Sequence, residues 1–357
     1  MNSTTIAQRR LIAQHITQAA ATPAEVVQSL GAIQAQDYLG ALWALGLRTP
    51  GATEQQVEAA IAAKQIVRTW PMRGTIHFVA PADVRWMLDL LTPRVMRGTQ
   101  SRLRGLEIDA ALLARCADIL GQALAGGQQL TRPAIYELFA SHGIAATGSR
   151  GLHILGQLSM RGLLCFGARD GKQPTFTLLD EWVPATAALP TDEALARLAL
   201  RYFTGHGPAT VQDLMWWAGL TLSEAKAALA EVAPQLASAM FDGQHYYFAP
   251  ALADITADAH EVFLLPPFDE FLLGYRDRRA MLEPAHMNLV APGSNGIFNP
   301  IVVIGGRVVG TWKREFKQHG VVTTWVPFDT FDATQNDAIA AAAKRYGAFL
   351  GLPVRLP

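Results

Sequence analysis

One order of elements, helix, helix, helix and then a strand–turn–strand, occurs three times between about residue 4 and residue 255. That recurrence constrains this chain more than any other feature. In the first pass Ile6, Arg9, Arg10, Leu11 and Ile16 form a helical stripe. Thr22-Pro23-Ala24-Glu25 then reads as a capping box with proline at the first helical position. Val26, Val27, Leu30 and Ile33 continue at helical spacing, and Glu54 to Ala63 makes a further helix. The run from Ile66 to Val79 is β-branched and aromatic with Pro71 and Gly74 inside it, which predicts two short strands and a turn. The second pass has helices at Ala110 to Leu124, from Thr131-Arg132-Pro133, and at Arg150 to Gly162, then a hairpin over Leu163 to Leu179 around Asp170-Gly171. The third has Glu193 to Phe203, a helix led in by Pro208-Ala209-Thr210, a capping box at Thr221-Leu222-Ser223-Glu224, and a hairpin over Ser238 to Phe248 turning at Asp242-Gly243. Helices followed by a hairpin are the layout of a winged helix. The residues themselves do not repeat, so the recurrence is one of architecture.

The last third changes character. Val262 to Leu265, Ile301 to Ile304, Arg307 to Trp312 and Val321 to Val326 read as strands, Gly305-Gly306 as a turn, and Asn336 to Leu350 as an alanine-rich closing helix. The expected fold is therefore α+β: winged-helix units over 1–105, 106–185 and 186–255, then a mixed α/β region over 256–357.

Half of the 357 residues are hydrophobic and 17% are charged, enough apolar material for a core and too little charge for a disordered chain. Lys plus Arg equals Asp plus Glu at 30 each, which excludes a polybasic coat for nucleic acid or membrane but leaves room for local basic patches. No apolar stretch reaches bilayer length, and Met1-Asn2-Ser3-Thr4-Thr5 carries no secretion signal. Cys116 and Cys165 give neither a disulfide framework nor a zinc cluster and read as small core residues. The expectation is a soluble protein of a reduced compartment, the cytoplasm.

Helix-turn-helix units with wings commonly bind DNA, although the same scaffold also serves protein contacts. Arg94, Arg97, Arg102 and Arg104 fall in one stretch without an acid among them. Arg150, His153 and Arg161 lie along the presumed recognition helix of the second unit. Arg276, Arg278 and Arg279 cluster around Asp277, and Lys313, Arg314 and Lys317 around Glu315. Each group could meet phosphates, and each could equally be an ordinary solvated face. The usual catalytic signatures are missing. There is no phosphate-cradling glycine loop, no histidine pair at metal spacing, and no nucleophile elbow at Ser159 or Ser294. The pair Asp269-Glu270 beside an apolar run could serve acid–base chemistry or cap a helix. One further stretch stands out: Gln34-Ala35-Gln36-Asp37, near the predicted end of a helix.

Taken with Arg68-Thr69-Trp70-Pro71-Met72-Arg73-Gly74-Thr75-Ile76-His77, Leu265-Pro266-Pro267-Phe268-Asp269-Glu270-Phe271-Leu272-Leu273-Gly274-Tyr275-Arg276-Asp277-Arg278, Asn295-Gly296-Ile297-Phe298-Asn299-Pro300 and Gly305-Gly306-Arg307-Val308-Val309-Gly310-Thr311-Trp312, this stretch resembles the AlkZ-type winged-helix DNA glycosylases, linked to azinomycin resistance and DNA crosslink unhooking. The resemblance spans nearly the whole chain. It implies tandem winged helices in a C shape around a DNA-sized groove, and hydrolysis of the N-glycosidic bond of cationic N7-alkylguanine, crosslinked guanine included. It maps the family's catalytic glutamine–small or apolar–glutamine motif onto Gln34 and Gln36. A second branch of the family carries aspartate at the latter position, and Asp37 falls one residue too late to be it.

The chemistry is coherent. N7 alkylation makes the base a cationic leaving group, so what remains is to place a water below C1′ and to stabilise the sugar cation. A glutamine amide can accept a hydrogen bond from that water and donate another, and its effect is positional and electrostatic. Residues two apart on a regular helix point in different directions, so Gln36 is expected at or beyond a helix end, with both amides facing a basic concavity and an open groove around them. Asp37, Asp269 and Glu270 are second-tier candidates for the catalysis. Thr75 could join the water network, His77 could reach the same site or the phosphates or be a buried structural ring, and Arg73 is a candidate phosphate contact. The expected partner is double-stranded DNA carrying alkylated guanine, bound by a monofunctional, monomeric enzyme associated with the nucleoid, with no membrane partner and no sign of a metal or organic cofactor. The competing accounts are a non-catalytic winged-helix regulator, which would have no use for the paired glutamines, and a protein-interaction scaffold, which would lack a basic concavity.

Overall fold

The computed structural model describes residues 2–255, 260–293 and 296–356. Met1, Ser294 and Asn295, named above, lie outside them. The chain forms two units, one built from residues up to Val57 and from Leu195 onward, the other from Glu58–Ala194.

In the first unit, helix Ser3–Ala13 begins at Asn2, whose side chain accepts from the Thr5 N–H at 2.8 Å. Helix Pro23–Leu30 carries the capping box read from the sequence, Thr22 with Glu25. It stops at Gly31, where φ is +79° and a Cβ would come within 3.0 Å of Arg201 Cγ, so both conformation and space require glycine. Strand Ala32–Gln34 and helix Tyr38–Arg48 follow. From the other end of the chain come helices Thr191–His206, Val211–Ala218 and Leu222–Val232, the last two with capping boxes at Thr210/Asp213 and Thr221/Glu224. The hairpin Ala237–Phe241 with Gln244–Phe248 turns through Asp242 and Gly243, both at positive φ, as a two-residue turn between antiparallel strands demands.

The C-terminal sheet has the strand order Val354–Arg355, Gly320–Pro327, Arg307–Lys317, Ile301–Ile304, Val262–Leu265. All pairs are antiparallel except the one at Val354, which runs parallel to Val321. Helix Ala333–Leu350, started by the Asp332/Gln335 capping box, lies beside Val262–Leu265 and helix Tyr38–Arg48. The aromatic rings of Trp43, Tyr346, Phe349 and Trp312 fill the space between these elements, with centroids 5.0–5.3 Å apart.

The second unit holds helices Pro81–Gly98, Gln100–Gly105, Ala110–Ala123, Arg132–Ser141 and Gly148–Met160. Its antiparallel strands run in the order Thr75–Val79, Val67–Met72, Leu164–Phe166, Thr175–Leu178, Leu130–Thr131. Trp70, Phe166 and Phe176 stack at 4.9 and 4.7 Å along this sheet.

The α+β class and most predicted elements stand. Two of the longer helices among the described residues escaped the sequence pattern, Tyr38–Arg48 and Pro81–Gly98. The first holds Gly40 and Gly46, and the second holds Pro93, which cannot donate to the carbonyl four residues earlier. Packing decides in both cases. Beside the break, the Thr92 hydroxyl lies within donating distance of Leu88 O at 2.8 Å and Met160 O at 3.0 Å. No helix among the described residues is long and apolar enough to cross a membrane. Both cysteines are buried thiols, and burial pushes Cys116 up to about 11 and Cys165 further still.

Gly46 yields a test of the packing argument. A Cβ there would lie 2.3 Å from the Phe349 ring. Alanine is the better helix former by about 1 kcal/mol, but overpacking a tight core costs about 1–3 kcal/mol. Gly46→Ala is therefore expected to lower the thermal midpoint; a raised midpoint would show that the ring moves aside freely.

Candidate active site

Strand Ala32–Gln34, then Ala35 and a bend at Gln36 and Asp37, connects the helices Pro23–Leu30 and Tyr38–Arg48. This corrects the expectation that the stretch Gln34–Asp37 lies near the end of a helix. The Pro23–Leu30 helix has already stopped at Gly31, so Gln36 lies beyond a helix terminus, as the shared-water geometry requires. Burial alternates along the stretch: Ile33 and Ala35 are 1% and 0% exposed, Gln34 is half-buried, and Gln36 is exposed. The two glutamines are thus the accessible residues of the stretch, while Ile33 and Ala35 anchor it inward.

Beneath the stretch lies a buried polar network. Glu270, 1% exposed, accepts the Gln34 main-chain N–H through Oε1 at 3.2 Å and the Trp217 indole N–H through Oε2 at 2.9 Å. His206 Nε2 lies 3.4 Å from the same Oε2, and its ring stacks on Tyr202 at 4.9 Å. Asp269 caps the short helix Glu270–Leu273 by accepting the Phe271 N–H at 2.9 Å, and it meets Arg48 through two bonds of 2.8 Å each. Arg48 also donates to Gln14 O at 2.8 Å and to Ala44 O at 3.0 Å. Gln14 passes its amide to Tyr275 Oη at 2.9 Å, and that phenol donates to His206 O at 2.6 Å. Burial holds the Tyr275 and Tyr202 phenols far above their ordinary range, so both act as proton donors.

Asp269 and Glu270, considered above as second-tier catalytic groups, are thus enclosed and fully engaged with protein donors. Their roles are to cap and to position. Asp37 is the N-cap residue of Tyr38–Arg48 but makes no side-chain cap bond. Its carboxylate reaches Arg314 at 3.6 Å instead, and Arg314 also donates to Tyr346 Oη at 2.9 Å. Local pattern gave no sign of Gln14, Arg48, His206, Trp217 or Tyr275. Most of their hydrogen-bond partners are 34 to 261 residues away, beyond any spacing rule.

The remaining candidates divide by surroundings. Arg73, Thr75 and His77 lie on the hairpin of the second unit, where Arg73 occupies the turn at φ +55°. His77 is fully buried, with Nδ1 3.0 Å from Thr75 O and Nε2 3.4 Å from Arg73, which is its structural alternative rather than an open contact. The Thr75 hydroxyl is buried. Arg150 spends its side chain on the carbonyls of Leu106, Ala145 and Glu107. Arg279 is chelated by Asp277 at 2.7–3.0 Å, and Arg278 donates to Leu272 O at 2.8 Å while lying over Phe298 at 5.3 Å. Arg97, Arg102, Arg276 and Lys313 are exposed, with Arg102 3.4 Å from His153, and Arg94 is half-buried.

A family model described as DNA glycosylase AlkZ-like matches residues 27–349, a span that includes the glutamine stretch and all of the buried network except Gln14. The chain belongs to the AlkZ-like DNA glycosylase family. A curated relative, the interstrand DNA cross-link repair glycosylase of Streptomyces sahachiroi, is 29% identical over 348 residues, covering 93% of this chain and 92% of the relative. The solved structure of Streptomyces sahachiroi DNA glycosylase AlkZ matches with a TM-score of 0.81 at 25% identity and covers 99% of both chains. For this family member, the site geometry offers neutral amides at a surface and keeps every nearby carboxylate except Asp37 below it. Such a site can orient a water, and the carboxylate beside the glutamines, Asp37, is paired with Arg314.

The Arg48–Asp269 pair has side chains 1% and 2% exposed. Removing one partner of such a pair strands the other charge, at a cost of about 3–5 kcal/mol. Asp269→Asn, which keeps the cap but loses the charge, is expected to lower unfolding stability by that amount in denaturant titration.

Proposed function

We propose that this protein hydrolyses the N-glycosidic bond of cationic N7-alkylguanine in double-stranded DNA. Gln34 and Gln36 hold the attacking water. The observation that supports this reading is that Gln34 and Gln36 are accessible where Ile33 and Ala35 beside them are enclosed, outside any helix. The relative's name as an interstrand cross-link repair glycosylase extends the reading to crosslinked guanine. The exposure of Gln36 suits a lesion too bulky to enter a narrow pocket.

The reaction breaks the C1′–N9 bond. The electron pair leaves with the guanine, which becomes neutral because it began as a cation, and no acid is needed to protonate it. The water oxygen then bonds to C1′ and its proton passes to solvent, leaving an abasic site. An amide oxygen accepts from the water and an amide N–H donates to it. Orientation of this kind can lower a barrier by on the order of 7 kcal/mol at its best. Three winged helices over 1–105, 106–185 and 186–255 and the C-terminal region 256–357 would supply the DNA contacts. Among the basic candidates, the exposed Arg97, Arg102, Arg276 and Lys313 suit phosphates, whereas the side chains of Arg150 and Arg279 are committed within the protein.

Release of N7-methylguanine from methylated duplex DNA tests the reading. Gln34→Ala and Gln36→Ala should each slow release while leaving DNA affinity near that of the parent. Parental rates in both variants would end the assignment. Salt dependence separates the arginines: Arg276→Ala should weaken binding and lower the salt slope by about one, whereas Arg279→Ala, already neutralised by Asp277, should leave the slope in place.

A further inference from the structure

We infer that Glu270 is the positioning residue for Gln34, and that the Asp37–Arg314 pair does the same for Gln36. This rests on the reading that the two glutamines hold the water. The Gln34–Asp37 stretch lies outside any helix, and side chains from the C-terminal third of the chain reach it at both of its ends. At the Gln34 end two donors converge, the Gln34 main-chain N–H and the Trp217 indole N–H. Each donor meets a different oxygen of one side chain, so that side chain must accept at both ends. A carboxylate does so, whereas an amide would turn its NH₂ toward one of the donors. This explains why an ionisable group is buried here despite the desolvation cost, and charge-assisted bonds are also the stronger ones. Glu270 is itself held. Its carbonyl accepts from Gln14 Nε2 at 3.3 Å, and the neighbouring Asp269 is locked by Arg48.

At the Gln36 end, Asp37 leaves its own helix uncapped and pairs with Arg314 at 3.6 Å, and Arg314 is braced by Tyr346 at 2.9 Å. Gly40 makes room for this arrangement. A Cβ there would lie 2.5 Å from Asp37 Oδ2. The pair is partly accessible, with side chains 32% and 18% exposed, so it can be altered without opening the core. Arg314, grouped by sequence with the phosphate contacts, is assigned to the site's frame. The water-holding segment is thus clamped at both ends by groups from the C-terminal third of the chain, and none of these groups needs to touch the substrate.

The test is a pair of double-mutant cycles on single-turnover release of N7-methylguanine, with DNA affinity and thermal midpoint measured alongside. Glu270→Gln and Asp37→Asn should each slow release between about tenfold and about a hundredfold, with DNA affinity unchanged. A group that acts through a glutamine has nothing left to act on once that glutamine is gone. Glu270→Gln should therefore have no further effect in the Gln34→Ala background, nor Asp37→Asn in the Gln36→Ala background. Equal slowing in both backgrounds would assign Glu270 and Asp37 to general structure and overturn the inference while the glutamine reading stands. Parental rates for Glu270→Gln and Asp37→Asn would do the same. Parental rates for Gln34→Ala and Gln36→Ala themselves would remove the reading and the inference together. If Glu270→Gln fails to fold, the Asp37–Gln36 cycle decides alone.

Discussion

The buried carboxylates Asp269 and Glu270 are the constraint on which the site depends. Two adjacent acids removed from water would be strongly destabilising without partners. Here each oxygen has a donor or cation beside it. Arg48 takes Asp269 through paired bonds, while Gln34 N–H, Trp217 and His206 surround Glu270. Those partners come from the N-terminal segment and from the helices Thr191–His206 and Val211–Ala218 in the middle of the chain. Satisfying two charges therefore brings Gln14, Arg48, His206 and Trp217 to one place and draws the strand bearing Gln34 against them. Stability and site geometry share the same bonds.

The second consequence concerns phase. A helix through Gln34 and Gln36 would send the amides about 200° apart. Here the helix has ended at Gly31 and the next opens at Asp37, so both glutamines lie outside a helix. Ile33 and Ala35 supply the inward contacts. In the proposed reading the two neutral amides act on one water, which suits a leaving group that already carries its own positive charge.

Much of this was legible in the residues. Capping boxes at Thr22 and Thr221, the Asp242-Gly243 turn and the β-branched runs from 262 and 301 are local signals, and each element formed near its expected bounds. The motif residues were visible as well, but their neighbours were not. Tyr38–Arg48 was hidden by two glycines whose purpose appears only against Phe349 and Asp37. The arginines looked alike in sequence. Arg150, Arg279 and Arg314 turned out to be committed to carbonyls or carboxylates of the protein, while Arg276 and Lys313 stayed exposed.

By itself, then, the sequence determined the kinds and order of the elements, the α+β class and the family, because caps, turns and periodicity act over a few residues. Tertiary structure decided which acids are buried, which cations remain exposed, and that the two glutamines stay accessible. Those outcomes depend on desolvation and on donors more than 200 residues away along the chain, such as Glu270 for Gln34 and Asp269 for Arg48, and no local pattern encodes such partners.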